Sequence, residues 1–169
     1  MGDALWRHRA WICCTLDWQG RRRAVMTGRR WTELFFLDEA VALAAGHRPC
    51  GYCRRAAFGR WKAAWARAFG GWPGVMAVDA ALHEARAERG ARRMRHDRAE
   101  ARALPDHTIF RDGGGDWLTL GDACHAVTPE GYGAARARPH GPVTVLTNPV
   151  TRAVLAAGYV PALHSTLKR

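Results

Sequence analysis

The sequence predicts an α+β fold, on three observations. Residues 6–18 contain an alternation with the period of two that a strand requires. Residues 58–89 carry apolar side chains at the spacings of three and four that a helix requires. From Leu104 onward, short β-prone runs are separated by glycine turns. The expected architecture is an N-terminal three-stranded meander carrying a cysteine knuckle, a helical middle, and C-terminal short strands plus one helix. A chain of 169 residues with 48% hydrophobic composition can fill one proper core. Residues 1–169 therefore read as a single domain in three parts: 1–55 around the knuckle, 56–103 basic and helical, 104–169 rich in strands.

One face of the first strand is Ile12, Cys14, Leu16 and Trp18, and the other is Trp11, Cys13, Thr15 and Asp17. Gln19-Gly20 supplies a turn, Arg21 to Met26 a return strand, Thr27-Gly28 a second turn, and Trp31 to Phe36 the third strand. Asp38 is placed to cap a short helix over Glu39 to Ala45, which Gly46 ends in a left-handed conformation. The chain then enters Cys50-Gly51-Tyr52-Cys53, where two thiols separated by two residues can reach one metal ion. Tetrahedral zinc needs two further ligands, which makes this the zinc knuckle of the expected fold. Cys13 and Cys14 are available, but neighbours on a strand point to opposite faces, so one metal takes one of them. Cys13 lies on the more polar face; Cys14 shares its face with apolar residues that can shield a metal. The alternative for Cys14 is a small buried hydrophobe.

The strand, the helix and the run Ala44-Ala45-Gly46-His47-Arg48-Pro49-Cys50-Gly51-Tyr52-Cys53 resemble the zinc-binding N-terminal domain of the Ada family of DNA alkylation-repair proteins, over roughly residues 31–55. The resemblance implies that Cys50 and Cys53, which match the family's second cysteine pair, are zinc ligands, and that the partner is DNA. In the family, one cysteine of a first pair, spaced four positions apart, removes a methyl group from a DNA phosphotriester. That spacing is absent here, where Cys13 and Cys14 are its only counterpart, and His47 stands where the family usually has an aromatic residue.

The 26 basic residues, nearly all arginine, outnumber the 15 acidic ones for a net charge of +11. Arginine suits forked contacts with phosphate, so DNA or RNA is the first partner to consider; the alternative is an arginine-rich but merely solvated surface. Arg48, Arg54 and Arg55 flank the knuckle, and Arg92 and Arg93 belong to a run of seven arginines between Arg86 and Arg102. Five cysteines without the apolar run of a secretory signal at residues 1–10 point to a reducing, cytoplasmic setting. No stretch reaches the ~20 apolar residues of a membrane span.

After Cys53, Phe58, Trp61, Trp65 and Phe69 form an aromatic helical stripe, read as core, which Gly70-Gly71-Trp72-Pro73-Gly74 terminates. A second helix is expected from Met76 to Arg89. Asp79, His83 and Arg86 share one stripe there, with Asp79 placed to orient His83 and Arg86 to hold an anion. With Glu84 this is the acid–base candidate outside the cysteines; the alternative is a surface histidine among routine helix ion pairs.

Thr108 to Arg111, Trp117 to Leu120 and Cys124 to Thr128 are expected strands, and 128–142 a long loop of the kind that lines a site. Cys124 and His125 are weak ligand candidates, with no second ligand at close spacing. Val143 to Leu146 is a strand, Asn148 a cap and Pro149 a first helical residue. Leu155-Ala156-Ala157-Gly158-Tyr159-Val160-Pro161 echoes Leu43-Ala44-Ala45-Gly46-His47-Arg48-Pro49, with Ala162 where Cys50 would fall and His164 just beyond. Either the echo reuses a good helix stop, or it marks a divergent half that brings His164 to the same cleft. Three functions stay open: a zinc-stabilised nucleic-acid-binding module; an enzyme of nucleic-acid repair or modification using a zinc-bound cysteine or a histidine; and a structural zinc protein with a protein partner.

Overall fold

The computed structural model describes residues 6, 8–20, 33–88 and 93–167. The fold is mixed α+β. Among the described residues there are four α-helices, a six-stranded antiparallel sheet and a two-stranded parallel pair. No helix among the described residues is long and apolar enough to cross a membrane.

The expected first strand shrinks to Ile12–Cys13 (β1), and its partner is Arg48–Pro49 (β2), running parallel. The carbonyl of Trp11 accepts from the Arg48 N–H at 3.1 Å and that of Cys13 from the Cys50 N–H at 3.1 Å. Residues 33–36 have no regular structure, which corrects the described part of the expected third strand; residues 21–32 lie outside the described residues. Among the described residues β1 makes its ladder with β2, the segment that follows the first helix.

That helix, Glu39–Ala44 (α1), starts where the Asp38 carboxylate accepts from the Val41 N–H at 3.0 Å. It ends as expected. Gly46, at φ +83°, lets its own N–H reach Leu43 O and the His47 N–H reach Ala42 O, at 2.9 Å each. Arg55–Phe69 (α2) buries Trp61 and Trp65, while Phe69 stays half exposed. Val75–Arg86 (α3) is shorter than expected: at Ala87 the backbone turns extended, and the arginine-rich run continues into strand Asp97–Glu100 (β3) instead of a longer helix.

A single 3₁₀ turn, Ala101–Ala103, leads on to strands Ile109–Asp112 (β4), Gly115–Leu120 (β5), Ala123–Thr128 (β6), Gly131–Ala137 (β7) and Pro142–Val145 (β8). The order across the sheet is β3-β8-β4-β5-β6-β7. β7 corrects the expected loop over 128–142. Its Gly, Ala and Arg residues carry weak strand propensity, but β6 offers a full ladder, interrupted by one irregularity between His125 and Val127. Gly131, at φ +142°, cannot be replaced by a residue with a Cβ without collision with the Thr166 side chain.

Pro149–Ala156 (α4) is capped by Asn148, whose side chain accepts from the Thr151 N–H at 2.9 Å. Its end repeats that of α1 bond for bond: the Gly158 N–H reaches Leu155 O and the Tyr159 N–H reaches Val154 O. The sequence echo is thus a repeated helix stop, and His47 and Tyr159 hold equivalent positions.

α1 lies between two cores. Leu43 joins Trp61, Trp65, Val78, Leu82, Val154 and Tyr159 in an all-helical cluster. Ala40 joins Ile109, Leu118 and Tyr132 on one face of the sheet. The opposite face packs Phe110, Cys124, Val143 and Val145 against Ala101 and Leu104.

Candidate metal centre and adjoining cleft

β1 and β2 pair as two short extended segments that share backbone hydrogen bonds, and that pairing brings Cys14 to the knuckle. Cys14, Cys50 and Cys53 present sulfur atoms that all lie within 4.8 Å of one another. Cys50 is buried, Cys53 half-buried and Cys14 exposed. The Tyr52 N–H donates to Cys50 Sγ and the Thr15 N–H to Cys53 Sγ, each at 3.4 Å.

Cys13 points the other way and is not part of the cluster. Its Sγ accepts from Arg54 Nη1 at 3.0 Å. Of the two adjacent cysteines, the strand therefore turns one to the knuckle and one to an arginine, as alternation requires.

Three thiols this close cannot all ionise alone. Burial would raise Cys50, but N–H groups of Cys53 and Tyr52 and the neighbouring thiols outweigh it and pull its pKa below the usual thiol value. Cys14, though its surface is exposed, is pushed up to about 12, first by the partial desolvation of its thiol beside the knuckle and then by Cys50 and Cys53. A cation among the three sulfurs removes that conflict by stabilising every thiolate together. The donor set, all sulfur, fits a soft or borderline metal ion.

The cluster borders a cleft of about 660 Å³, lined by Cys14 and Cys53, by Leu16 and Trp18 on one wall, and by Arg54, Arg55 and Arg60 of the α2 end on another. Arg55 and Arg60 are exposed. The N-terminus of α2 has no side-chain cap, so its first-turn N–H groups add to the positive field. Arg54 is anchored: Nη2 lies 3.3 Å from Glu39 Oε2. Glu39 is fully buried and also accepts from Tyr159 Oη at 2.6 Å and the Ala162 N–H at 2.8 Å. The segment after α4 therefore braces the arginine that holds Cys13.

Other expected site residues go elsewhere. Arg48 is buried in a forked pair with Asp79, at 2.6 and 2.8 Å, so it offers no surface to a nucleic acid. That pairing also removes Asp79 from His83. Arg86 is fully buried, donates to Gly46 O at 2.5 Å and Arg9 O at 2.6 Å, and stacks on Trp11 at 3.9 Å. Burial lowers its pKa to about 10, with Asp79 opposing and Arg48 adding to the fall, so it stays charged at neutral pH. It holds the knuckle's backbone and is not free to bind an anion. His83 meets the edge of Trp6 at 5.8 Å, and its pKa is lowered by burial, Arg86 and Arg9. Glu84 is exposed, and the acid–base constellation is not assembled.

His164 Nδ1 lies 2.9 Å from Thr166 Oγ1, and its N–H donates to Asp38; it does not line the cleft. Arg93 is exposed but lies outside the cleft lining, and Arg92 falls outside the described residues. Cys124 is fully buried in the sheet, a small core residue.

Sequence reasoning singled out neither Arg60, Trp18 nor Tyr52 for the site. Arg60 had a readable signal, four residues beyond Ala56 and three beyond Ala57 on the α2 stripe that forms the cleft. The brace from Glu39 to Tyr159 had none, because its partners are 120 residues apart. Comparison with protein families, with curated proteins and with solved structures finds no match.

Proposed function

We propose that the chain is a zinc protein that binds nucleic acid and serves DNA repair or another nucleic-acid modification, as its resemblance to the Ada family implies. The observation that carries this reading is the three-sulfur cluster opening onto an arginine-lined cleft. Zinc is the ion that a thiolate set following a Cys-x-x-Cys knuckle most often holds, and it takes four ligands. Cys14, Cys50 and Cys53 would supply three, and Cys14 and Cys53 line the cleft. Arg55 and Arg60, together with the α2 N-terminus, put positive charge in the same cleft, suited to a phosphate beside the cluster.

The test has two parts. Elemental analysis of the purified full chain is expected to find about one zinc per chain, retained in Cys13→Ser and lost in Cys50→Ser. Binding to nucleic acid is expected to weaken roughly 10³-fold between 50 and 200 mM salt, as contact with several phosphates requires. Well under half a zinc in fresh protein removes the metal reading. A flat salt response, or no binding at low salt, leaves a structural metal protein whose partner is another protein.

A further inference from the structure

The charged wall of the cleft explains attraction to a phosphate chain but not its other wall. That wall is apolar and aromatic beside the metal cluster. Leu16, 84% exposed, and Trp18 line the cleft; Tyr52, one of the two residues between the knuckle thiols, is 56% exposed and borders it through contact with Trp18. The Trp18 and Tyr52 rings lie 5.7 Å apart at an interplanar angle of 57°, a tilted aromatic pair. Exposed apolar side chains concentrated at one place mark a binding surface, whereas scattered ones need no explanation. Here Leu16 and the half-buried Trp18 line the same cleft as Arg54, Arg55 and Arg60.

The geometry points to an unpaired nucleotide as the occupant: a single-stranded or locally opened nucleic acid whose phosphates meet Arg55 and Arg60 and whose bases stack on Trp18 in the cleft and on Tyr52 at its margin, one base to each ring. Duplex DNA keeps its base faces stacked internally and presents only phosphates and groove edges, so it satisfies one wall of the cleft and leaves the aromatic wall against water. An unpaired base satisfies both. At about 660 Å³ the cleft is an open depression, which suits a chain passing across it. The inference rests on the nucleic-acid reading above and adds the strandedness and the stacking residues.

The experiment is fluorescence anisotropy of the metal-containing full chain with a labelled 12-nucleotide DNA, the RNA of the same sequence, and the corresponding DNA duplex, at several salt concentrations. Single strands are expected to bind at least about 10-fold tighter than the duplex. Trp18→Ala and Tyr52→Ala are each expected to weaken single-strand binding roughly 5- to 100-fold, the range for loss of one stacked base, with the salt slope unchanged. Tyr52→Phe keeps the ring and is expected to bind like the parent. Arg55→Ala and Arg60→Ala are expected to flatten the salt slope instead.

Since Tyr52 is largely exposed, its variants test the idea even if Trp18→Ala misfolds. Equal or tighter duplex binding, or unchanged single-strand affinity in Tyr52→Ala with zinc content intact, overturns the stacking proposal while leaving the arginine cleft in place. If neither arginine variant changes binding or its salt slope, the nucleic-acid reading of this cleft falls, and the stacking proposal with it.

Discussion

Replacing His47 with phenylalanine should make the protein less sensitive to acid. His47 is 9% exposed, with the Trp11 ring 5.3 Å away and the Phe36 ring 4.8 Å away. It follows Gly46 in the α1 stop, where backbone geometry and not charge selects the position. It performs an aromatic role as a neutral ring. Burial, and after it the Arg86 guanidinium on the neighbouring α3, lowers its pKa from 6.5 to about 4, against the opposing carbonyls of Ala45 and Ala42. Between these values the unfolded chain binds more protons than the folded one, so stability rises with pH through this window and is flat for this group above ordinary neutrality.

At pH 5 protonation favours the unfolded state by a factor of roughly 30 and the folded state by about 1.1, a net loss of about 2 kcal/mol relative to pH 8. His47→Phe has no such proton to take up. Denaturant titrations of both proteins at pH 8 and pH 5 give the double difference, in which the thiols and carboxylates common to both cancel. The parent should lose about 2 kcal/mol more than the variant. Equal losses, to within ~0.5 kcal/mol, would refute the assignment of a buried neutral imidazole.

Two further outcomes test the frame that holds the knuckle. Asp79→Ala strands the Arg48 guanidinium in the interior directly before Pro49-Cys50. It should cost about 3–5 kcal/mol, seen as a fall in Tm of the order of 6–20 °C, whereas the double replacement Arg48→Met with Asp79→Leu should recover most of the loss. A single variant within ~1 kcal/mol of the parent would show the pair to be dispensable. Gly46→Ala forces a left-handed backbone on alanine and drives its Cβ into Arg86 Cδ, whereas Gly113→Ala meets the same backbone demand in open space. The expected losses are above about 2 kcal/mol for the first and about 1–2 kcal/mol for the second, read from denaturant midpoints; equal effects would mean that Arg86 moves aside without cost.

The parts legible in the sequence were those set by nearest neighbours. Asp38 and Asn148 could be read as caps, and Gly46 and Gly158 as helix stops, because each acts on backbone groups within five residues. The same holds for the closeness of Cys50 and Cys53, which is a property of their spacing. Trp61 and Trp65 were legible as core from the helical period alone.

The tertiary structure decided what depends on distant partners. β1 pairs in parallel with β2 across an intervening helix, and that register, not the alternation itself, turns Cys14 to the knuckle and Cys13 to Arg54. Asp79, His83 and Arg86 have the spacing of a catalytic stripe, yet the interior claims two of the three: Arg48 needs a carboxylate once buried, and the carbonyls of Gly46 and Arg9 need a donor. β7 likewise forms from weak strand formers because β6 presents an open ladder. A residue's own chemistry and its near neighbours determine what it can do; which buried group it must satisfy is a matter of the folded contacts, because an unpaired charge or carbonyl in the interior costs more than any local preference supplies.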